Sequence, residues 1–491
     1  MTEIKYAARS AIIYSVGIVI QRIAGLVMLP VYTRFLTPAD YGSLELLMMT
    51  SELVALITGL GISGSIFRFF YQKEDSVYQN NVISSALTIM IVLYSCVGFI
   101  GISLSPYLAK IILGGTRIET AAFMILFGYF ILEPLNIIPF LFLRIQQKPV
   151  LFVSISLVKL VLQIALNVYF LVFLKIGFLG VLLSTFITQI IICVWLSRYL
   201  FNYIQLRFSK ELAKEIINYS YPLVLAGLGA FISTFSDRYF LKAYADLSSV
   251  GVYSLAYKFG FLMAFLTFGP IYTVWEPKRF ELAMQEDYPK INQRVFFFVS
   301  LAAITVALGI ALFARDLLRV MSVREFWIAY TIVPYILIAY IFQGWTNYVN
   351  FGLHYCGKTK YLSLCSAITA GVIIILSFLL IPEFKAIGAA VATMIAFVLN
   401  FAIVYACAEK FYKLRLSWMK PVALLCVAVC LYLISRMLSV ESVVASLLVN
   451  IGLFIVYLVV VVASPISEKQ ERQFYLKILK HPKMIFSLFK T

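Results

Sequence analysis

Four basic and four acidic side chains fall inside long apolar runs: Arg22, Lys159, Arg238 and Lys258, with Glu45, Glu52, Glu133 and Asp237. A cation at the centre of a bilayer costs about 2.5–3.5 kcal/mol on insertion scales, so an ionisable residue held there faces a wet cavity or a buried partner. The eight charges cancel, so the runs can hold internal ion pairs. Arg22, Lys159 and Glu133 lie deepest, and a functional role is expected for them. Arg238 and Asp237 lie near the end of their run, where snorkelling to the interface is an equal alternative. Polar residues extend the pattern. Ser156, Lys159, Gln163 and Asn167 share a helical arc of about 80°, and Gln343, Asn347, Asn350 and His354 one of about 60°. Glu45 and Glu52 share another face, as do Ser15, Arg22 and Gly25. Such stripes either line a cavity or join helices to one another.

The elements that must position these groups are membrane helices. The chain has 491 residues, 62% hydrophobic and 13% charged, the composition of an integral membrane protein. Fourteen apolar spans are predicted, at roughly 10–33, 42–66, 82–105, 120–143, 150–174, 178–196, 218–241, 250–274, 295–314, 327–351, 361–381, 386–407, 419–436 and 443–463. The first lacks an A-x-A cleavage site and is too long for a signal sequence, so it is expected to be retained. The short connections leave no room for a soluble catalytic domain. Of 40 Lys and Arg, 26 fall to one side of the membrane and 10 to the other. That asymmetry predicts both termini in the cytoplasm. The net charge of +17 is therefore topological and does not point to nucleic acid. The basic tail, 464–491, is expected to lie in the cytoplasm and to be drawn weakly to anionic lipid.

Enzyme and metal signatures are missing. The seven cysteines show neither a disulfide framework nor zinc spacing and read as small apolar residues. The only histidines are His354 and His481. No Walker A, G-x-S-x-G or H-E-x-x-H sequence occurs. The chain is expected to be no enzyme and to need no cofactor or metal.

An internal repeat organises the spans. Phe35 to Leu44 aligns with Tyr244 to Tyr253 at an offset of 209, and Ile176 to Thr185 with Phe384 to Thr393 at 208. Between them, Arg144 and Lys148 pair with His354 and Lys358 at 210. Six spans per copy enter the membrane in one orientation, which implies a pseudo-twofold axis along the membrane normal. The expected organisation is an N-lobe at 1–208, a C-lobe at 209–415, two extra spans at 416–463 and the tail. Glu133-Pro134 and Pro222 are candidate hinges or static kinks.

The stretch Tyr32-Thr33-Arg34-Phe35-Leu36-Thr37-Pro38-Ala39-Asp40-Tyr41-Gly42 resembles the first-loop signature of bacterial polysaccharide flippases. Asp237-Arg238-Tyr239-Phe240-Leu241, followed by Val250-Gly251-Val252-Tyr253-Ser254-Leu255-Ala256, resembles the matching stretch of their second half. These flippases belong to the multidrug/oligosaccharidyl-lipid/polysaccharide exporter superfamily. The resemblance implies an all-α polytopic protein: two six-helix lobes in a V around a central cavity, with two extra C-terminal helices. It implies transport of undecaprenyl-pyrophosphate-linked oligosaccharide across the bacterial inner membrane by alternating access. Arg22 and Lys159 would then hold the pyrophosphate, helped by Arg144 and by Lys258 or Arg238, because buried Arg and Lys suit such an anion. Gln163, Asn347 and Asn350 would meet sugar hydroxyls. Glu52, Glu133 and Asp237 are the candidates for proton or sodium coupling. Membrane lipids and a polysaccharide polymerase are the expected partners. Two alternatives stay open: a multidrug antiporter of the same superfamily, and an integral membrane polymerase or ligase. The midplane cations oppose cationic cargo, and the short external loops oppose an enzyme.

Overall fold

The structure is a computed structural model and describes residues 13, 17, 19, 20, 25, 27–438 and 442–463. Arg22 and the tail 464–491 lie outside the described residues. The fold is all-α and polytopic, with no strand among the described residues. In chain order the helices are α1 (Leu29–Phe35), α2 (Pro38–Thr58), α3 (Ile62–Phe70), α4 (Ser76–Ile112), α5 (Arg117–Leu132), α6 (Pro134–Ile145), α7 (Pro149–Val168), α8 (Phe178–Phe201) and α9 (Lys210–Tyr244). There follow α10 (Leu247–Leu282), α11 (Tyr288–Met321), a 3-10 helix (Arg324–Thr331), α12 (Val333–Val349), α13 (Phe351–Tyr355), α14 (Thr359–Phe411), α15 (Met419–Met437) and α16 (Val443–Ala463).

Among the described residues, ten helical segments are long and apolar enough to cross a membrane, or eleven if Arg324–Thr331 with Val333–Tyr355 is one span bent by 46°. The fourteen predicted spans map onto these with three differences. Most of span one lies outside the described residues. Span seven falls in α9, whose Ser233, Ser236, Asp237, Arg238 and Lys242 lower its hydropathy. Spans eleven and twelve run together in α14. Fully straight, its 53 residues would reach about 80 Å, far beyond a hydrocarbon core of about 30 Å. A break at Lys385 (φ 48°, ψ −127°) divides it, inside the connection expected between 381 and 386.

The chain forms two compact units, Met1–Gly251 and Val252–Thr491. In the first, α9 packs on α2, α3 and α4, and Ile66, Leu87, Tyr94, Phe130 and Ile216 meet in its core. In the second, Trp345 on α12 packs against Phe296, Phe342, Phe401 and Trp418. Its indole donates to Ser300 Oγ at 2.9 Å, so the large buried ring also satisfies its one polar atom.

The repeat read from the sequence recurs as backbone geometry. Thr37 starts α2 by accepting from Asp40 N at 3.1 Å, and Asp40 returns a bond to Thr37 N at 3.2 Å. Asp246, 209 residues on, starts α10 by accepting from Ser249 N at 2.7 Å. Gln147 (φ 52°) and Gly357 (φ 66°) occupy matching left-handed positions. Each is followed by a lysine whose N–H closes five residues back: Lys148 on Leu143 O at 3.0 Å, Lys358 on Leu353 O at 2.8 Å. Both helices therefore end in a Schellman turn. Gly177 (φ 61°, ψ −151°) matches Lys385, the residue of the α14 break. Glycine adopts this conformation freely, whereas lysine there stores about 1–3 kcal/mol.

The starts of α2 and α10 cross in close contact. A Cβ on Gly42 would overlap the carbonyl oxygen of Leu247, and one on Gly251 would overlap that of Pro38. Pro38 and Leu247 are partners at the repeat offset, as are Gly42 and Gly251, so the contact is self-complementary. Only glycine lets two helix backbones approach this closely. Gly42→Ala is expected to destabilise the detergent-purified protein by about 1–3 kcal/mol. Gly64→Ala, on α3 with open space around it, should be neutral or slightly stabilising. Thermal melting of the two variants beside wild type checks this; equal melting would remove the crossing as a constraint.

Candidate functional site

Pro134 has no N–H, so the helix hydrogen-bond ladder is interrupted where α5 meets α6. Glu133 occupies the break. Its N–H bonds Phe130 O at 3.1 Å in a tightened turn, and its own carbonyl takes Asn136 N and Ile137 N at 2.9 and 3.0 Å. The Glu133-Pro134 step is thus a break in the span, as the sequence allows, and it places the carboxylate against a cavity of about 310 Å³. Glu133, Asn136 and Arg144 line this cavity from the α5–α6 span, Lys159 from α7 and Gln189 from α8.

The α7 stripe explains how Lys159 is held. Gln163 Nε2 donates to Thr185 Oγ1 at 3.1 Å, and Asn167 accepts from Ser184 Oγ while donating to Tyr32 Oη at 2.9 Å. Lys159 Nζ donates to Gln189 Oε1 at 3.3 Å. The stripe therefore joins α7 to α8, and Gln163 is committed to that contact. Lys159 belongs both to the seam and to the cavity wall. Glu133 and Lys159 interact electrostatically across the cavity. Arg144, at the end of α6, is exposed and lies over the Phe67 ring at 5.3 Å. Beyond the span, Lys148 donates to the Tyr199 hydroxyl at 2.9 Å, and that bond holds its pKa above the ordinary lysine value.

Three buried polar atoms on this wall have no hydrogen-bond partner among the described residues: Glu133 Oε2, Asn136 Oδ1 and Gln189 Nε2. An unsatisfied buried polar group costs about 1–3 kcal/mol, so three at one cavity call for a polar occupant. With Lys159 inside and Arg144 in the wall, the cavity offers two cations, one carboxylate and two amides. Such a set has the chemistry to pair with an anion and to hydrogen-bond hydroxyl groups. Among the described residues no cluster of three or more His, Cys, Asp or Glu can hold a metal.

The remaining predicted residues lie in other surroundings. Arg238 and Asp237 are almost fully buried, at 1% and 2% exposure, and pair with each other at 2.8 Å. Arg238 also donates to Thr234 O at 2.8 Å. Of the two readings left open for Arg238, the structure has the internal ion pair rather than snorkelling. The Tyr41 hydroxyl donates to the buried Glu45, within electrostatic reach of Arg238. Glu52 is exposed on α2, two residues after Thr50, whose hydroxyl meets Tyr239 Oη at 2.9 Å. In the second unit Lys258 is half-buried, Asn347 is exposed and Asn350 is half-buried. Asn350 Oδ1 has no hydrogen-bond partner among the described residues.

Gln189 and Asn136 are cavity residues beyond those expected, and their sequence signal is that each is a lone amide deep in an apolar span. With predicted spans ending at 274 and resuming at 295, Arg279 falls in a connection. Arg279 is instead buried, bonded to Tyr288 Oη at 3.0 Å and to Tyr348 O, and lies 4.1 Å from the Tyr348 and Phe351 rings.

The model of a family described as polysaccharide biosynthesis protein matches residues 7–282, more than half of the chain. The chain belongs to the polysaccharide biosynthesis protein family. No curated protein matches it in sequence. Among solved structures, the lipid II flippase MurJ in an inward closed conformation has a TM-score of 0.75 at 13% identity, covering 93% of this chain and all of that one. An inward-facing multidrug resistance MATE transporter of the MOP superfamily has 0.63 at 16%, covering 83% and 99%. A MOP superfamily transporter from Pyrococcus furiosus has 0.59 at 15%, covering 84% and 97%. This member of the polysaccharide biosynthesis family therefore has the fold of flippases and exporters.

The cavity charges give a direct test. Glu133→Gln and Lys159→Met are each expected to lower stability, because each leaves the opposite charge buried with less compensation. The double variant should recover part of the loss, with a coupling of about 1 kcal/mol. Thermal unfolding of the four proteins measures it; strictly additive effects would mean that the two groups do not share one environment.

Proposed function

We propose that this protein is a flippase that moves undecaprenyl-pyrophosphate-linked oligosaccharide units from the inner to the outer leaflet by alternating access, for cell-surface polysaccharide synthesis. The observation that carries the reading is the cavity in which Lys159 and Arg144 stand with three buried polar atoms that have no partner among the described residues. The two cations take the pyrophosphate, with Arg22 as a further contributor from the first span. The amides of Asn136 and Gln189 take hydroxyls of the first sugar, and Asn347 and Asn350 are further candidates for sugar hydroxyls. Glu133 is the leading site for proton or sodium coupling, because a carboxylate beside a lysine changes its interactions when it binds a cation. Glu52 and Asp237 are the other candidates. No cofactor takes part, and the protein does no bond-making chemistry.

The family match and the MurJ-like fold support this reading. So does the placement of the basic residues, which favours cytoplasmic termini; the membrane we propose is the bacterial inner membrane. Membrane lipids surround it, and a polysaccharide polymerase is the natural recipient of its product. A MATE-like antiporter has a related fold, but two cations in one cavity oppose organic cations through like-charge cost.

A strain lacking the protein is expected to accumulate one undecaprenyl-linked oligosaccharide, and wild-type protein should relieve the accumulation. A Lys159→Ala variant, inserted at normal levels, should restore transport about tenfold or more less well, the cost of one charge-assisted contact. Unchanged lipid-linked sugars with new sensitivity to cationic drugs would replace the flippase reading with the antiporter.

A further inference from the structure

The second unit holds another cavity, and its chemistry differs from that of the first. It measures about 400 Å³ and lies between α11, α12 and α15, with Ile387 of α14 on one wall. That volume is within the range of about 300–1,000 Å³ typical of small-molecule sites. Its wall is mostly aliphatic, with Thr331, Tyr335, Tyr432 and Arg436 as its polar members. Ala311, Tyr432 and Arg436 also border a second, polar space of about 20 Å³, closed by Arg315, Ser435 and Asn450. The two spaces form one amphiphilic site, with a long apolar slot and a small polar head.

Two arginines face that head, and no carboxylate among the described residues lines it. Arg436 lies 4.6 Å and Arg315 6.0 Å from the centre of the Tyr330 ring. Neither forms an ion pair among the described residues. A buried acid stands close by: Asp316 Oδ2 accepts from Ser446 Oγ at 2.9 Å and from Asn450 Nδ2 at 3.2 Å, while its Oδ1 has no hydrogen-bond partner among the described residues. Topology does not call for basic residues here either. Arg315 and Arg436 belong to the sparse basic residues of the side with only 10 of the 40 Lys and Arg.

We propose that this site holds an anionic phospholipid of the surrounding bilayer, with an acyl chain in the apolar slot and the phosphate against Arg315 and Arg436. The slot is bordered by α15, and α15 and α16 are mostly exposed along their length, Leu433 by 53% and Leu448 by 66%. In a membrane protein such a surface faces lipid, so a bilayer lipid reaches the slot directly. The head space admits about one or two water-sized groups, which suits phosphate oxygens and leaves no room for a sugar. That favours a phospholipid over a sugar-bearing cargo. The site is independent of the transport reading, since none of its residues lines the Glu133–Lys159 cavity.

The test is lipid retention by the full chain, purified in mild detergent and observed by native mass spectrometry with added phosphatidylglycerol or phosphatidylcholine. Phosphatidylglycerol should be retained in preference, and Arg315→Gln with Arg436→Gln should lower its retention about tenfold. Leu433→Trp, which fills the slot and leaves both arginines, should lower retention of the same lipid, and inorganic phosphate should not displace it. Equal retention of the two lipids would overturn the proposal, as would unchanged retention in either variant. Displacement by inorganic phosphate would reduce the site to a simple anion contact. Preferential retention of undecaprenyl phosphate, lost in the arginine variant, would assign the slot to prenyl lipid instead.

Discussion

Two helix backbones meet at Gly42 and Gly251 with no room for a methyl group between them. The crossing is made by partners at the repeat offset, so each half supplies the same surface to it. Thr37 and Asp246 fix the first turns of the two helices by side-chain caps, and this sets the direction in which α2 and α10 leave the contact. The buried charges follow from it. Tyr41 and Glu45 sit on the first turns of α2 beside the crossing, within electrostatic reach of the Asp237–Arg238 pair on α9. A displacement of this crossing would move a buried carboxylate away from its partners at a cost of several kcal/mol.

The second organising element is the break at Glu133. An uninterrupted helix would satisfy its own backbone and present a smooth apolar face. Proline at 134 removes one bond, and the chain places a carboxylate at the break. The opposite wall comes from the polar seam of α7 and α8, which keeps Lys159 beside Gln189. Unmatched donors and acceptors are expensive in an apolar setting, and three of them gather at this one cavity among the described residues.

Much of this was legible in the sequence, because membrane physics writes in long apolar runs and rare charges. The all-α polytopic class, the repeat offsets and the depth of Lys159 and Glu133 in their spans all came from residue type and spacing. Other features were not legible. Gln163 lies on the same stripe as Lys159, but only the facing α8 residues reveal that it is used in helix pairing. Arg238 sits near a span end, where sequence leaves snorkelling and burial equal; the neighbouring Asp237 and Thr234 carbonyl decide for burial. Arg279 was hidden because its π partners, Tyr348 and Phe351, are about seventy residues away. Periodicity carries no information at that separation.

In the proposed function, the cations of the α5–α8 cavity carry an anionic lipid-linked sugar across the membrane. The most direct measurement uses purified protein in sealed liposomes with an undecaprenyl-pyrophosphate-linked oligosaccharide, read out by an enzyme that acts only on the outer leaflet. Wild-type protein should expose the inner-leaflet pool with time, and a folded Arg144→Gln, Lys159→Met variant should not. Equal exposure by the two proteins, or none by wild type across an imposed proton or sodium gradient, would contradict the account.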